Sequence, residues 1–458
     1  METALEAAIF YGLIGVVIFS AIPYGTVDPW SQAVFEGAIF FLGLLWIFHG
    51  LLHGSWETGS LRLVLPIIFL IGFAILQSLT WSAPEQAGTA VLRSLSADPS
   101  ESWAFALRVG ALALASVVFT RFTNSVRRLN LLVHAVIVLA IGCALFGLAR
   151  EALQHGDGFL LSRLKQSAGY AQFINKDHFS YLMEIAFGLI VGVALVRSGR
   201  PERIPLYLAG LIVIWAALVL SKSRGGLLAM SMQMIFAAFL LVNGRIKTRA
   251  SVDSRFKPTW VQRALANSLI IAILLITIVL GVAWLGGDQL VTGAETAAVE
   301  IAGADTSELH EAARRRDIWR ASWRMFKQHP ITGAGFGGFW AEVPAFHDGS
   351  GVLTPQQAHN DYLEVLASGG LIGAAILIWF GAALVIQTRH ILRRVEGFQR
   401  AVCLGTIIAL AGVAVHSLVD FGLHITVNAL IVMILLAILS LEPFAETVKT
   451  RRIKNATS

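Results

Sequence analysis

The chain has 458 residues, of which 56% are hydrophobic and 14% charged, with a mean hydropathy of +0.70. Soluble domains carry about 45–50% apolar and about 25% charged residues, so this composition excludes a water-soluble globular fold. Lys and Arg outnumber Asp and Glu by 35 to 29, for a net charge of +6; in so apolar a chain that excess is read first as membrane topology, not as a nucleic-acid surface.

The N-terminus, with Glu2 and Glu6, is acidic where a secretory signal is basic, so its first apolar run reads as an uncleaved span. About 20 apolar residues cross the hydrocarbon core. Twelve segments qualify, near 7–22, 33–52, 61–80, 102–120, 129–149, 179–196, 204–221, 225–243, 264–286, 369–388, 401–417 and 422–441. The expected fold is therefore all-α, a membrane protein of about 12 transmembrane helices with one large outer loop containing a short amphipathic helix. Residues 1–150 hold the first five spans, 151–286 the next four, 287–360 the long loop, 361–442 the last three spans and 443–458 a tail. With both termini in the cytoplasm, 21 of the 35 basic residues fall on the inner side, among them Arg127, Arg128, Lys247, Arg393 and Arg394. Cys143 and Cys403 lie inside apolar runs, one toward each end of its span, which argues against a disulfide. Neither an internal repeat nor a low-complexity tract is visible.

Residues 81–101 and 150–178 read as modest outer loops, whereas 287–360 is long enough to hold structure. A helix is predicted from Thr306 to Gln328, capped by Asp305, Thr306 or Ser307 and closed by His329-Pro330. Ile318, Trp319, Trp323 and Phe326 would share a largely apolar side, interrupted by the small Ser322, while Arg316, Arg320, Arg324 and Lys327 form a basic stripe. That stripe suits either phosphates at a membrane surface or plain solvation.

Ionisable residues in spans are costly and carry a functional expectation. Glu36, Arg108, Glu184, Lys222, Arg224, His416 and Asp420 all fall in the outer half, which predicts a polar cavity opening outward. Glu36, Arg108 and Glu184 are also expected to pair with one another as struts, and His134, nearer the inner end, receives no role. Lys222-Ser223-Arg224-Gly225-Gly226 is a tight outer turn with two cations where basic residues are disfavoured. An Arg fork matches phosphate oxygens bidentately and glycines permit close approach, so a lipid-linked phosphate is weighed there against simple snorkelling. Gly333-Ala334-Gly335-Phe336-Gly337-Gly338 follows a helix and not a strand, so it reads as a flexible turn and not as a dinucleotide loop. His359-Asn360-Asp361-Tyr362-Leu363-Glu364 places a potential base at the membrane edge, its ring oriented by Asp361 or Glu364. No outer cluster has metal-ligand spacing.

Lys222–Gly226, the run from Arg315 through Trp319, His329-Pro330 and Gly333-x-Gly335-x-Gly337 to Phe339, and His359-Asn360-x-Tyr362-Leu363-Glu364 with Gly369, Gly370 and Gly373 together resemble the O-antigen ligase and polymerase superfamily. Asn175-Lys176-Asp177-His178-Phe179 is similar to that family's Asn-x-Asn-His-Phe segment, with Asp177 replacing the second Asn, and His416–Phe421 to its His-x-x-x-Asp element. The resemblance runs over roughly 160–440; the first five spans fit in topology alone. It implies transfer of a glycan, at the periplasmic face of a bacterial inner membrane, from an undecaprenyl-diphosphate carrier to an acceptor, with neither metal nor cofactor. The acceptor would be lipid A core, a growing glycan chain or protein Ser or Thr; membrane lipids are further partners, nucleic acid is not. By the resemblance His359 activates the acceptor hydroxyl and Arg224 holds diphosphate. Arg163, Lys222, Arg315 with its neighbour Arg316, Asn360, Tyr362, Glu364 and Asp420 are the substrate-binding candidates. A flippase for the same lipid would instead place charges near the midplane and show repeat symmetry, and a non-catalytic scaffold would need neither Arg224 nor His359.

Overall fold

A computed structural model describes residues 4–54, 56, 59–84, 90–156, 158–166, 169–195, 204–242, 307–347 and 355–444. The described chain is almost wholly helical: α1 (Ala4–Ala21), α2 (Pro29–His53), α3 (Val64–Ser78), α4 (Pro99–Phe122), α5 (Val126–Leu153), α6 (Lys176–Leu195), α7 (Ile204–Leu220), α8 (Arg224–Val242), α9 (Ser307–Gln328), α10 (Asp361–Arg394), α11 (Gly397–His416) and α12 (Thr426–Ser440). Nine described helices are long and apolar enough to cross a membrane, α3 together with its preceding turn, and the shorter apolar α7 and α12 fall where spans are expected. The protein is thus an all-α, multi-pass membrane protein. The expected span at 264–286 lies outside the described residues.

Local chemistry sets the helix starts. Asp98 accepts from the backbone N–H groups of Ser100 and Glu101, with Pro99 at the first position of α4; Ser125 does the same for Arg128 at α5, and Asn360 for Leu363 at α10. The loop expected at 81–101 contains a two-stranded antiparallel hairpin, Thr80–Pro84 with Ala90–Ser94.

α6 forms the axis of the bundle, with 94% of its apolar window buried against 22% for α10. Its approach to α11 is at backbone distance: a Cβ on Gly188 would lie 2.5 Å from the Ala409 nitrogen, and one on Gly192 2.3 Å from the Gly405 Cα. Small residues let membrane helices meet this closely, where van der Waals packing replaces the hydrophobic driving force.

α10 bends at Gly370, whose φ of 58° and ψ of −153° are outside helical values. The bend diverts the Leu371 and Ile372 N–H groups to the carbonyls of Pro330 and Ile331, and leaves the carbonyls of Ala367 and Ser368 to accept from Ala334 and Gly335. Gln77 adds a hydrogen bond to the Thr332 carbonyl at 2.7 Å and accepts from the Phe336 N–H at 3.1 Å. The glycine-rich segment, expected as a flexible turn, is therefore a packed plug, because a broken helix offers carbonyls that need donors. A second expectation changes for α9: its buried side is Ile318, Ala321, Ser322 and Met325, and Trp323 is 46% exposed. The smaller residues give the closer fit to the neighbouring core formed with Ala334, Phe339 and Ala367. Arg320, Arg324 and Lys327 are exposed.

Candidate active site

Five segments meet at one end of the bundle: the residues opening α6, the turn between α7 and α8, α9, the segment entering α10, and the link from α11 to α12. His359 sits just before α10 with a left-handed φ of 49°. Its Nδ1 donates to Asp420 Oδ1 at 3.1 Å. Asp420 is almost fully buried while the His359 side chain is 29% exposed, so the pair presents the imidazole and hides the carboxylate. Burial alone would raise the Asp420 carboxyl, but the His359 hydrogen bond and the nearby His178 and His416 rings hold it below its ordinary value. An ionised Asp420 keeps the proton on Nδ1 and leaves the Nε2 lone pair available.

His178, which sequence reasoning noticed only as part of a motif, stands beside this pair with Nε2 at 3.8 Å from Asp420 Oδ2. Phe421 packs edge-on against both rings, at 4.9 Å from His178 and 4.7 Å from His359. Asn428 secures the group by donating to the carbonyls of His178 and Gly422.

Asp177, the departure from the expected Asn, joins the cationic elements. Its Oδ1 accepts from Ser223 Oγ at 2.6 Å, and its Oδ2 lies 3.5 Å from an Arg315 guanidinium nitrogen. Ser223 Oγ also accepts from the Gly226 N–H at 3.0 Å and so caps α8. Arg315 donates to the Val419 carbonyl at 3.3 Å, next to Asp420. Lys222 and Arg224 flank the buried Ser223 and are exposed, with Arg224 opening α8. Beneath the turn lies His416, whose Nδ1 is 2.7 Å from Glu184 Oε1 and whose ring stacks on Tyr181 at 4.2 Å. Gly225 is required here, since a Cβ would sit 2.5 Å from His416 Nε2. Of the expected struts, Glu36 and Arg108 do pair, at 4.0 Å, but Glu184 belongs to His416, because the two face each other in the fully buried interface of α6 and α11.

The remaining candidates separate. Asn360 caps α10, and Tyr362 donates to the Ala414 carbonyl at 2.8 Å. Glu364 accepts from the Ala358 N–H at 2.8 Å and lies 3.1 Å from His424 Nε2. Asp361 and Glu364 are one helical turn apart on the face toward His424, so neither orients His359; Asp420, 61 residues along the chain, does. Arg163 is elsewhere at the same end, ion-paired with Asp28 and over the Tyr24 ring. The Arg316 side chain lies outside the described residues. Among the described residues no group of three His, Cys, Asp or Glu is arranged to hold a metal ion.

Residues 209–378 match the family model described as O-antigen ligase. The chain resembles the O-antigen ligase superfamily. No curated protein matches it. The O-antigen ligase match takes in the Lys222–Gly226 turn, Arg315, the glycine-rich plug and His359 through Gly373, and membrane glycosyl transfer is the broad activity that goes with it. It leaves out Asn175–His178 and His416–Asp420. Those two segments nonetheless supply the carboxylates Asp177 and Asp420 to the same site.

Proposed function

We propose that the protein transfers a glycan from an undecaprenyl-diphosphate carrier to an acceptor hydroxyl at the periplasmic face of the inner membrane, without metal. The observation that carries this reading is the half-buried imidazole of His359, held by a buried carboxylate, beside a cationic turn and an arginine tied together through Asp177. In the reaction the acceptor oxygen forms a bond to the anomeric carbon, the bond from that carbon to the diphosphate oxygen breaks, and the hydroxyl proton passes to His359 Nε2. Lys222, Arg224 and Arg315 stabilise the negative charge growing on the departing diphosphate, the part played elsewhere by a metal. Arg224 at the first residue of α8 adds its fork to the positive end of the helix dipole.

Polymerisation, ligation to lipid A core and transfer to protein Ser or Thr share this chemistry; the acceptor distinguishes them. The test incubates the purified full chain with a radiolabelled glycan carried on undecaprenyl diphosphate and with each acceptor class. Arg224→Lys keeps the charge but loses the bidentate fork, and is expected to abolish most transfer while inserting at normal abundance. Transfer at the unmodified level by that variant overturns the diphosphate role.

A further inference from the structure

Phe421, which packs against His359, also meets a second polar group, His424 with Asp361 and Glu364. It closes one end of a cavity of about 280 Å³ running between α3, α4, α10 and α12, near the lower limit of the roughly 300–1,000 Å³ of small-molecule sites. The walls are apolar along their length, with Ile67 and Leu70 from α3, Leu112 from α4, Ile376 and Phe380 from α10 and Val432 from α12. So apolar a lining suits a hydrocarbon chain and not a glycan. The head end sets the chemistry. Asp361 is 8% exposed; Ser417 is a side-chain partner at one edge of its carboxyl and His424 Nε2 lies 3.8 Å from Oδ1, which leaves the carboxyl short of a close donor. A buried acceptor without a donor is costly, and a ligand that donates relieves the cost. Arg108 also lines this end, but its charge is faced by Glu36 at 4.0 Å and its fork is engaged by Gln32 at 3.0 Å. His424 is faced by Asp361 and Glu364, and Arg108 by Glu36, so this end offers an anionic head no cation without a carboxyl already beside it.

We propose that this cavity is a lipid site, separate from the diphosphate turn, that takes the single apolar chain of an amphiphile with an uncharged, hydroxyl-bearing head donating to Asp361. The binding does not depend on the transfer reaction, and its test uses no glycan. The full chain, in detergent micelles, is photolysed with a long-chain fatty alcohol carrying a diazirine in its chain, and in parallel with the matching fatty acid; labelled peptides are mapped by mass. The alcohol is expected to label the Gly373–Phe380 and Ala429–Leu436 stretches, and the acid about tenfold less. Val432→Trp or, from the opposite wall, Leu70→Phe fills the space and lowers alcohol labelling by about tenfold in protein that still elutes as the unmodified chain does. Asp361→Asn, which offers an amide donor to an anion, brings the two probes toward equal labelling. Equal labelling of the unmodified protein by acid and alcohol overturns the head-group assignment. Undiminished labelling at Ile376–Phe380 in both filled variants overturns the site itself.

Discussion

At the scale of single residues, the site holds a histidine, His359, with one ring nitrogen committed to Asp420 and the other presented. If His359 is the base, His359→Gln and His359→Ala both lower transfer by about 10²–10⁴-fold while the donor lipid still binds, as read by single-turnover kinetics beside a binding measurement. Asp420→Asn removes a charge-assisted hydrogen bond worth about 1.5–3 kcal/mol, so about a 10–10²-fold loss in rate with donor affinity kept is expected. Because Asp420 stays ionised to lower pH than an ordinary carboxyl, its hold on His359 should persist as pH falls through the ordinary carboxylate range, and the difference in transfer between the unmodified enzyme and Asp420→Asn should stay constant over that range. Retained transfer but weakened donor binding in His359→Gln would make this residue a hydrogen-bond donor to phosphate.

Among the elements, the crossing of α6 and α11 positions the site, since Asp177 and His178 lie in the first turn of α6 and α11 ends at His416, four residues before Asp420. The crossing tolerates no side chain at Gly192, where a Cβ meets the Gly405 backbone at 2.3 Å. Gly192→Val should therefore destabilise the protein by at least about 1–3 kcal/mol, visible as a lower midpoint of thermal unfolding in detergent. Gly142→Ala, on α5 with open space around its Cβ position, is the matched control and should leave the midpoint unchanged or slightly raised. A Gly192→Val midpoint equal to that control would mean that the two helices separate without cost.

For the whole molecule, the expectation to test is orientation. Gln328, closing α9, and Asn124, between α4 and α5, are both exposed and lie at opposite ends of the bundle. With Gln328→Cys and Asn124→Cys in intact spheroplasts, an impermeant thiol reagent should label the first alone, as the positive-inside distribution requires. Labelling of Asn124→Cys instead inverts the topology and puts the site in the cytoplasm.

The sequence by itself determined the class of molecule, because a run of about 20 apolar residues has few alternatives to a membrane helix and hydropathy is a local, additive property. It also singled out His359, Arg224 and Arg315, which stand in short motifs. Only the tertiary structure decided their partners. Asp420 and not Glu364 holds His359, Asp177 links Ser223 to Arg315, and Glu184 serves His416 and not Arg108. Each of these contacts joins segments tens of residues or more apart through helix crossings whose rotation no periodicity specifies. The same holds for the glycine-rich plug: loop composition suggested mobility, and the bend at Gly370 supplied the carbonyls that fix it.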